Sequence, residues 1–263
     1  MKIRVGAVST DFTDDRFQVM EEYIRSVKLD LICFPEGYFG LKDEELRSIE
    51  VFSLREVVEK VSQLSTDYNV HVVTGFIEAL KKGAKRYRNK ALLFSPRKGL
   101  IGTYTKTTPT PGELGRGIQP GHQIDVFRCK IGKIAMLICF EVWFPELARI
   151  ATLKGADIIC FPSGGDIAPM IDRWETLWKA RAIENNVYVI GCLNAEKTAT
   201  SIICGPEGTL ASSRKKGLVQ AILDLDRLKG IRRGELETET QYVPALLKKR
   251  GPFIRGIWQK LQQ

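Results

Sequence analysis

Histidine is almost missing from this chain, which carries only His71, inside "NVHVVTG", and His122, in the turn-like "PGHQ". Imidazole is the side chain that most readily takes a proton from a nucleophile near neutral pH. Neither histidine closes a strand that looks catalytic, so chemistry built on a Cys–His couple has little to draw on. Cys-x-x-Cys pairs are absent too. The six cysteines (33, 129, 139, 160, 192 and 204) stand singly, mostly in apolar runs, which argues against a zinc ribbon or a disulfide framework and fits a reducing compartment. No apolar run approaches the ~18 residues that a membrane span needs, and "MKIRVGAVSTDF" has no secretory pattern. The expectation is a soluble, cytoplasmic protein with no membrane partner.

Charge says less than its size suggests. Much of the net +9 sits in "KKGAKRYRNK" (81–90), with smaller clusters at "RKK" (214–216) and "KKR" (248–250). No aromatic-interleaved basic motif of a nucleic-acid-binding face accompanies them, Tyr87 standing alone, so they read as solvated surface and no nucleic-acid partner is expected.

What the chain does have is alternation. Short β-branched runs ("IRVGAVS", "LDLICFPE", "VHVVTGF", "ALLFSP", "LIGTYTK", "KIAMLICF", "ADIICFPS", "VYVIGCLN", "SIICGP", "LVQAILDLD") are interspersed with segments of helical spacing such as "REVVEKVSQLSTDYN" and "IDRWETLWKARAIENN". This pattern predicts crossovers between largely parallel, buried strands. A weak repeat sharpens it: "DLICFPE" (30–36) and "DIICFPS" (157–163) agree at five of seven positions and sit in the same order of elements. The fold class expected is α/β: two related halves packed sheet against sheet with helices outside, a four-layer αββα sandwich. No linker separates the halves. Composition shifts after about residue 232, at "RRGELETETQ", so residues 1–240 are taken as one domain and 241–263 as a C-terminal tail that packs on the domain or on a dimer partner.

In parallel α/β sheets, ligands gather beyond the carboxyl ends of the strands. Those ends carry Glu36, Lys106, Cys139, Ser163 and Asn194, among them a thiol, a carboxylate and a cation. With histidine scarce, a carboxylate is a better-placed base for the thiol of Cys139 than either His71 or His122, and Glu36 after "CFP" is the candidate. Desolvation in a dry cleft favours its neutral form and raises its basicity, while a nearby Lys106 counters that.

Three stretches in order, "FPEGYFG", "GTYTKTTPTPGE" and "LICFEVWFPELAR", resemble the motifs of the nitrilase superfamily of carbon–nitrogen hydrolases, on its amidase-like branch. The resemblance runs from residue 1 to about 240 and includes "ADIICFPSGG". It implies the αββα sandwich and dimerisation, and it assigns roles. Glu36 is general base, Cys139 the nucleophile that forms a thioester acyl-enzyme, Lys106 the stabiliser of the oxyanion together with the backbone N–H of Phe140, and Glu113 the second glutamate, which orients the lysine or assists proton transfer. Seen only as part of a loop-like "TTPTPG" stretch, Glu113 reads equally as a surface charge. No metal or organic cofactor is implied. The corner position of Cys139 at a helix N-terminus is expected to favour the thiolate.

Departures bear on the substrate. Many amidase relatives read Cys-Tyr-Asp-x-Arg after the nucleophile, whereas this chain has "CFEVW". Glu141 in the aspartate position is similar to true nitrilases, which are usually longer, and to membrane-bound acyltransferases, whose spans are missing here. Trp143 replaces an arginine able to pair with a substrate carboxylate. Tyr38, Phe39 and Trp143 either line a site for a neutral acyl group or are packing residues; Tyr38, Trp143 and Ser163 are the candidate substrate contacts. Arg173 stands where relatives often have another residue. The activity expected is hydrolysis of a small amide with release of ammonia. A nitrilase or N-carbamoyl hydrolase using the same residues, and a catalytically silent oligomeric scaffold, are the alternatives.

Overall fold

Both copies of the repeated heptapeptide form strands at the centre of a sheet. The computed structural model describes residues 1–11, 15–41, 49–80, 85–165, 170–194 and 199–236; the tail 241–263, with its "KKR", lies outside them. The first half runs β1 (Lys2–Ser9), α1 (Arg16–Ser26), β2 (Leu31–Cys33), α2 (Leu54–Asp67), β3 (His71–Ala79), β4 (Tyr87–Ser95) and β5 (Gly99–Thr105). A short helix α3 (Pro111–Gly115) and strand β6 (Val126–Cys129) lead into the second half. There follow β7 (Gly132–Met136), a 3-10 helix (Cys139–Trp143), α4 (Pro145–Leu153), β8 (Ile158–Gly164) and α5 (Ile171–Asn185). Then come β9 (Tyr188–Asn194), β10 (Ser201–Gly205), β11 (Gly208–Ser213), β12 (Gly217–Asp224) and α6 (Leu225–Arg233).

The two six-stranded sheets have spatial orders β12-β1-β2-β3-β4-β5 and β6-β7-β8-β9-β10-β11, which map onto each other strand for strand. The repeat extends to backbone detail. Asp30 and Asp157 each accept from the N–H of a neighbouring strand, Arg4 at 2.8 Å and Lys133 at 3.0 Å. Their carbonyls accept from the N–H groups of His71 and Tyr188, both at 3.0 Å. Asn69 and Asn186, at the two equivalent helix-to-strand turns, share a left-handed φ of 50° and 48°, a conformation asparagine tolerates better than most residues with a Cβ. Matching side chains at matching turns point to one duplicated half.

The expectation of largely parallel strands is corrected. Only β1-β2-β3 and β7-β8-β9 are parallel; the outer strands pair antiparallel. The connections β4–β5 and β10–β11 are too short for a crossover, and a short loop can only return the chain antiparallel.

Alternation along β2 sets the layers. Leu31 and Cys33 pack with Met136, Cys160 and Cys192 between the sheets. Ile32 and Phe34 face the other way, onto Met20 of α1 and Val57 and Val61 of α2. On the far side, Ala148 and Ala151 of α4 and Trp174, Trp178 and Ala182 of α5 cover the second sheet. Four layers, αββα, result. Among the described residues no helix is long and apolar enough to cross a membrane.

Candidate active site

The carboxyl ends of the central strands meet at the seam between the halves. Glu36 lies in a turn just after β2, carried by its neighbour β3. Gly75 N–H donates to Pro35 O at 3.0 Å, and Phe39 N–H donates to Gly75 O at 3.1 Å. A Cβ on Gly75 would sit 2.2 Å from Gly37 N and 2.6 Å from Pro35 O, so only glycine lets the turn approach this closely. From the opposite half, Ser163 O accepts the Glu36 N–H at 3.2 Å. Arg16, itself buried, donates to the carbonyls of Tyr38 and Leu41 and fixes the chain beyond.

Lys106 follows β5, and its N–H donates to Asn89 O at 2.9 Å. Its Nζ lies 2.8 Å from Glu36 Oε1 and 3.0 and 2.8 Å from the two oxygens of Glu113. All three side chains are 1% exposed. Glu113 is therefore not a surface charge. It is the third helical residue of α3, in a reciprocal capping box with Thr110: Thr110 Oγ1 accepts the Glu113 N–H at 3.2 Å, and Glu113 Oε2 accepts the Thr110 N–H at 2.7 Å. The signal was present as Thr-Pro-Gly-Glu, a Thr-x-x-Glu start with proline at the first helical position.

Asn89, on β4, is the member of this group that sequence reasoning missed. Its Nδ2 donates to Glu36 Oε1 at 2.7 Å and to Glu113 Oε1 at 2.8 Å, bridging the two carboxylates. A buried asparagine inside a strand runs against β propensity, and "YRNKALLF" contains that hint. Asn89→Leu, similar in size and without donors, removes two charge-assisted bonds worth about 1.5–3 kcal/mol each. The expected outcome is a kcat/KM about 10- to 100-fold lower. The acid limb of its pH profile moves upward, because ionised carboxylates lose their donors; kcat/KM measured from pH 5 to 9 checks both.

Cys139 opens the 3-10 helix with φ 52°, a left-handed backbone that strains a residue bearing a Cβ and turns the thiol out of the strand line. The thiol is 7% exposed and donates to Gly164 O at 3.5 Å. Burial pushes it well above the usual thiol range, and the Glu36 charge adds to this, with Lys106 opposing. The expectation of a resting thiolate is thus corrected: a single 3-10 turn supplies little dipole, and desolvation outweighs it. Burial likewise raises Glu36, with Lys106 drawing it part of the way back. For Glu113 burial again favours the neutral acid, but Lys106, the Thr110 N–H and Asn89 outweigh it and hold the group below its ordinary value. Lys106 is disfavoured as a cation by burial, yet the two glutamates keep it charged. The result is a neutral thiol beside a carboxylate of raised basicity and a fixed ammonium.

Of the remaining candidates, Phe140 packs edge-on against Phe144, and its backbone N–H lies in the first turn of the 3-10 helix, where N–H groups have no partner within the helix. Ser163 is fully buried and its hydroxyl donates to Phe161 O at 3.2 Å, so it shapes the site through its backbone. Trp143 is half-buried and edge-on to Trp174. Tyr38 is corrected as a substrate contact: it is buried between Phe34 and Phe39 with its hydroxyl donating to Arg16 O at 2.8 Å, and Phe39 joins the same cluster. Two residues after Glu36 the chain has already turned into the layer beneath α1. His71 is held at its Nδ1 by Asp30 O, and burial lowers its pKa, a packing role in β3.

A two-sheet αββα sandwich with a carboxylate, an ammonium and a thiol at its seam defines a hydrolase. The chain belongs to the carbon-nitrogen hydrolase family, whose model matches residues 8–233. It is similar to a probable nitrilase of Schizosaccharomyces pombe, 27% identical over 250 residues that span 88% of this chain and 91% of the relative. It is also similar to an omega-amidase of Saccharomyces cerevisiae, 26% identical over 220 residues, 76% and 75% of the respective lengths. Among solved structures, a Saccharomyces cerevisiae member of branch 10 of the nitrilase superfamily superimposes with a TM-score of 0.75 at 23% identity, covering 91% of this chain and 96% of that one. An amidase from Nesterenkonia gives 0.72 at 19%, covering 89% and 96%. The amidase-like resemblance and the sandwich with two halves both stand.

Proposed function

We propose that the protein hydrolyses the C–N bond of a small carboxamide through an acyl-enzyme on Cys139. What carries the reading is one lysine, 2.8 Å from each of two buried glutamates, beside a strained and buried thiol. The thiol rests protonated, so attack requires a base at hand. Glu36 accepts the thiol proton as Sγ bonds to the carbonyl carbon and the C=O pair moves onto oxygen. Lys106 and the Phe140 N–H stabilise that oxyanion. On collapse, Glu36 returns the proton to nitrogen, the C–N bond breaks and ammonia leaves. Water then attacks the thioester, giving a proton to Glu36; the C–S bond breaks and the proton goes back to sulfur. The sum is amide plus water to acid plus ammonia. Glu113 and Asn89 keep Lys106 and Glu36 in register throughout.

The same reading takes the protein as a cytoplasmic homodimer or higher homo-oligomer acting on a small molecule, with 241–263 as its C-terminal tail. A panel of small amides, nitriles and N-carbamoyl compounds, assayed for ammonia together with intact-protein mass, tests it. Ammonia from amides with a transient acyl adduct on Cys139 is expected. Carbon dioxide release marks a carbamoyl substrate and nitrile turnover a nitrilase. No ammonia and no adduct across the panel returns the chain to a silent scaffold.

A further inference from the structure

We propose that Glu141 is a positioning residue whose carboxylate locks the Lys106-bearing turn onto the backbone that presents Cys139. Glu141 is fully buried. Among the described residues no lysine or arginine pairs with it; the ion pairs there involve other carboxylates. A carboxylate in that setting is tolerated only where neutral donors replace water, and here they come from two directions. Oε1 accepts from the Tyr104 hydroxyl, the Thr107 N–H and the Thr107 hydroxyl, each at 2.7 Å, and from the Thr108 N–H at 3.1 Å. Oε2 accepts from the Ile138 N–H at 2.7 Å.

The sequence positions of these donors give the bonds their meaning. Tyr104, Thr107 and Thr108 flank Lys106 on both sides. Ile138 immediately precedes Cys139. One rigid planar group therefore spans from the segment that carries the ammonium to the segment that carries the sulfur, in two different sheets. An apolar residue of similar size would fill the same space with less desolvation, but it would leave the N–H groups of Thr107, Thr108 and Ile138 unpaired and free the two segments from each other. Arg181, whose Nε donates to Val142 O at 3.0 Å, holds the 3-10 helix from the α5 side, so Glu141 is needed for the Lys106 side.

This inference rests on the amidase reading, in which Lys106 must face the oxyanion that forms on attack by Cys139. Glu141→Gln keeps the volume, but its NH2 meets N–H donors at one end whichever way the amide turns. The expected result is a kcat about 10- to 100-fold lower, the scale of a misplacement of order 1 Å, with KM changed less than about threefold. A second readout does not depend on turnover. The charged groups around the thiol are Glu36, Lys106 and Glu113, and Lys106 is the one that favours thiolate. Drawing Lys106 away shifts the pH profile of Cys139 alkylation by iodoacetamide upward.

Val61→Ala in α2, a buried apolar truncation remote from the site, serves as the stability control. Loss of kcat at nearly constant KM together with an upward alkylation shift, neither of them seen in Val61→Ala, supports the inference. Unchanged kcat, or a loss that tracks melting temperature while the alkylation profile stays put as in the control, overturns it. If Glu141→Gln does not fold, Glu141→Asp, one methylene too short to reach both segments, is judged by the same criteria. A parent enzyme that releases no ammonia from any amide sinks the functional reading instead, and the alkylation profile then still decides on Glu141.

Discussion

The Cys139→Ala protein is expected to keep its fold and lose turnover by about 10⁴-fold or more, since no other group in the site can form the acyl bond. Only one buried sulfur is removed, with its hydrogen bonds to Gly164 O at 3.5 Å and to the Glu36 carboxylate. Alanine meets the same left-handed backbone that cysteine already accepts, so the melting temperature should stay within a few degrees. Alkylation supplies the companion measurement. Cys33, Cys160, Cys192 and Cys204 are all 0% exposed. Cys129 is half-buried, and burial pushes its thiol up to about 11. Near neutral pH iodoacetamide should therefore label Cys139 first, because that thiol is hydrogen-bonded to the Glu36 carboxylate, which can take its proton, and Cys129 should follow in alkaline solution. Residual hydrolysis within tenfold of the parent in Cys139→Ala would end the acyl-enzyme proposal.

Lys106→Met should cost both activity and stability. The ammonium is the one cation between Glu36 and Glu113 in the described site. Taking one partner from a buried ion pair costs about 3–5 kcal/mol, because the charge left behind has no water to replace it. Loss of the oxyanion donor adds a drop in kcat of about 10²–10³-fold. The pH dependence identifies the cause. In the parent, Glu113 is held below its ordinary value, so its contribution to stability is present above the unfolded carboxylate pKa and is lost as pH falls through the folded one. In Lys106→Met the two carboxyls face each other without a cation, so Glu113 rises above its unfolded value and Glu36, already raised by burial, rises further. Their contribution is then fully present below the unfolded pKa and is lost as pH rises through the folded values. The melting-temperature gap between parent and variant should therefore widen from pH 5 to pH 8. A gap independent of pH would place the damage in packing.

The fold was legible because duplication wrote it twice. Apolar strands with Asp at their start and Pro near their end recur in both halves, and each builds the centre of one sheet. The direction of the outer strands is not legible in the same way, because hydrophobicity records burial, while loop length decides whether neighbours run parallel. Glu36, Lys106 and Cys139 were readable because each closes a strand, where topology alone brings separate segments together. Asn89 and Glu141 were harder to place because each acts through partners far away in sequence. Asn89 works 53 and 24 residues from the glutamates it bridges, and Glu141 works 33 to 37 residues from most of its donors. Tyr38 misled for a different reason: an aromatic beside a catalytic-looking glutamate has the same local pattern whether it faces a substrate or a helix.

The hydrogen bond from the Glu36 N–H to Ser163 O joins the two matched corners of the repeat, one ending in a carboxylate and the other in a hydroxyl. Neither half owns a complete set of reacting groups: the base and the cation arrive with the first, the sulfur with the second. Two identical halves would present two equivalent hollows, whereas here the matched corners carry different side chains, Glu36 and Ser163. Because the reacting groups straddle that join, a shear of the layers by about 1 Å would slow the enzyme by about 10²-fold while it was still folded.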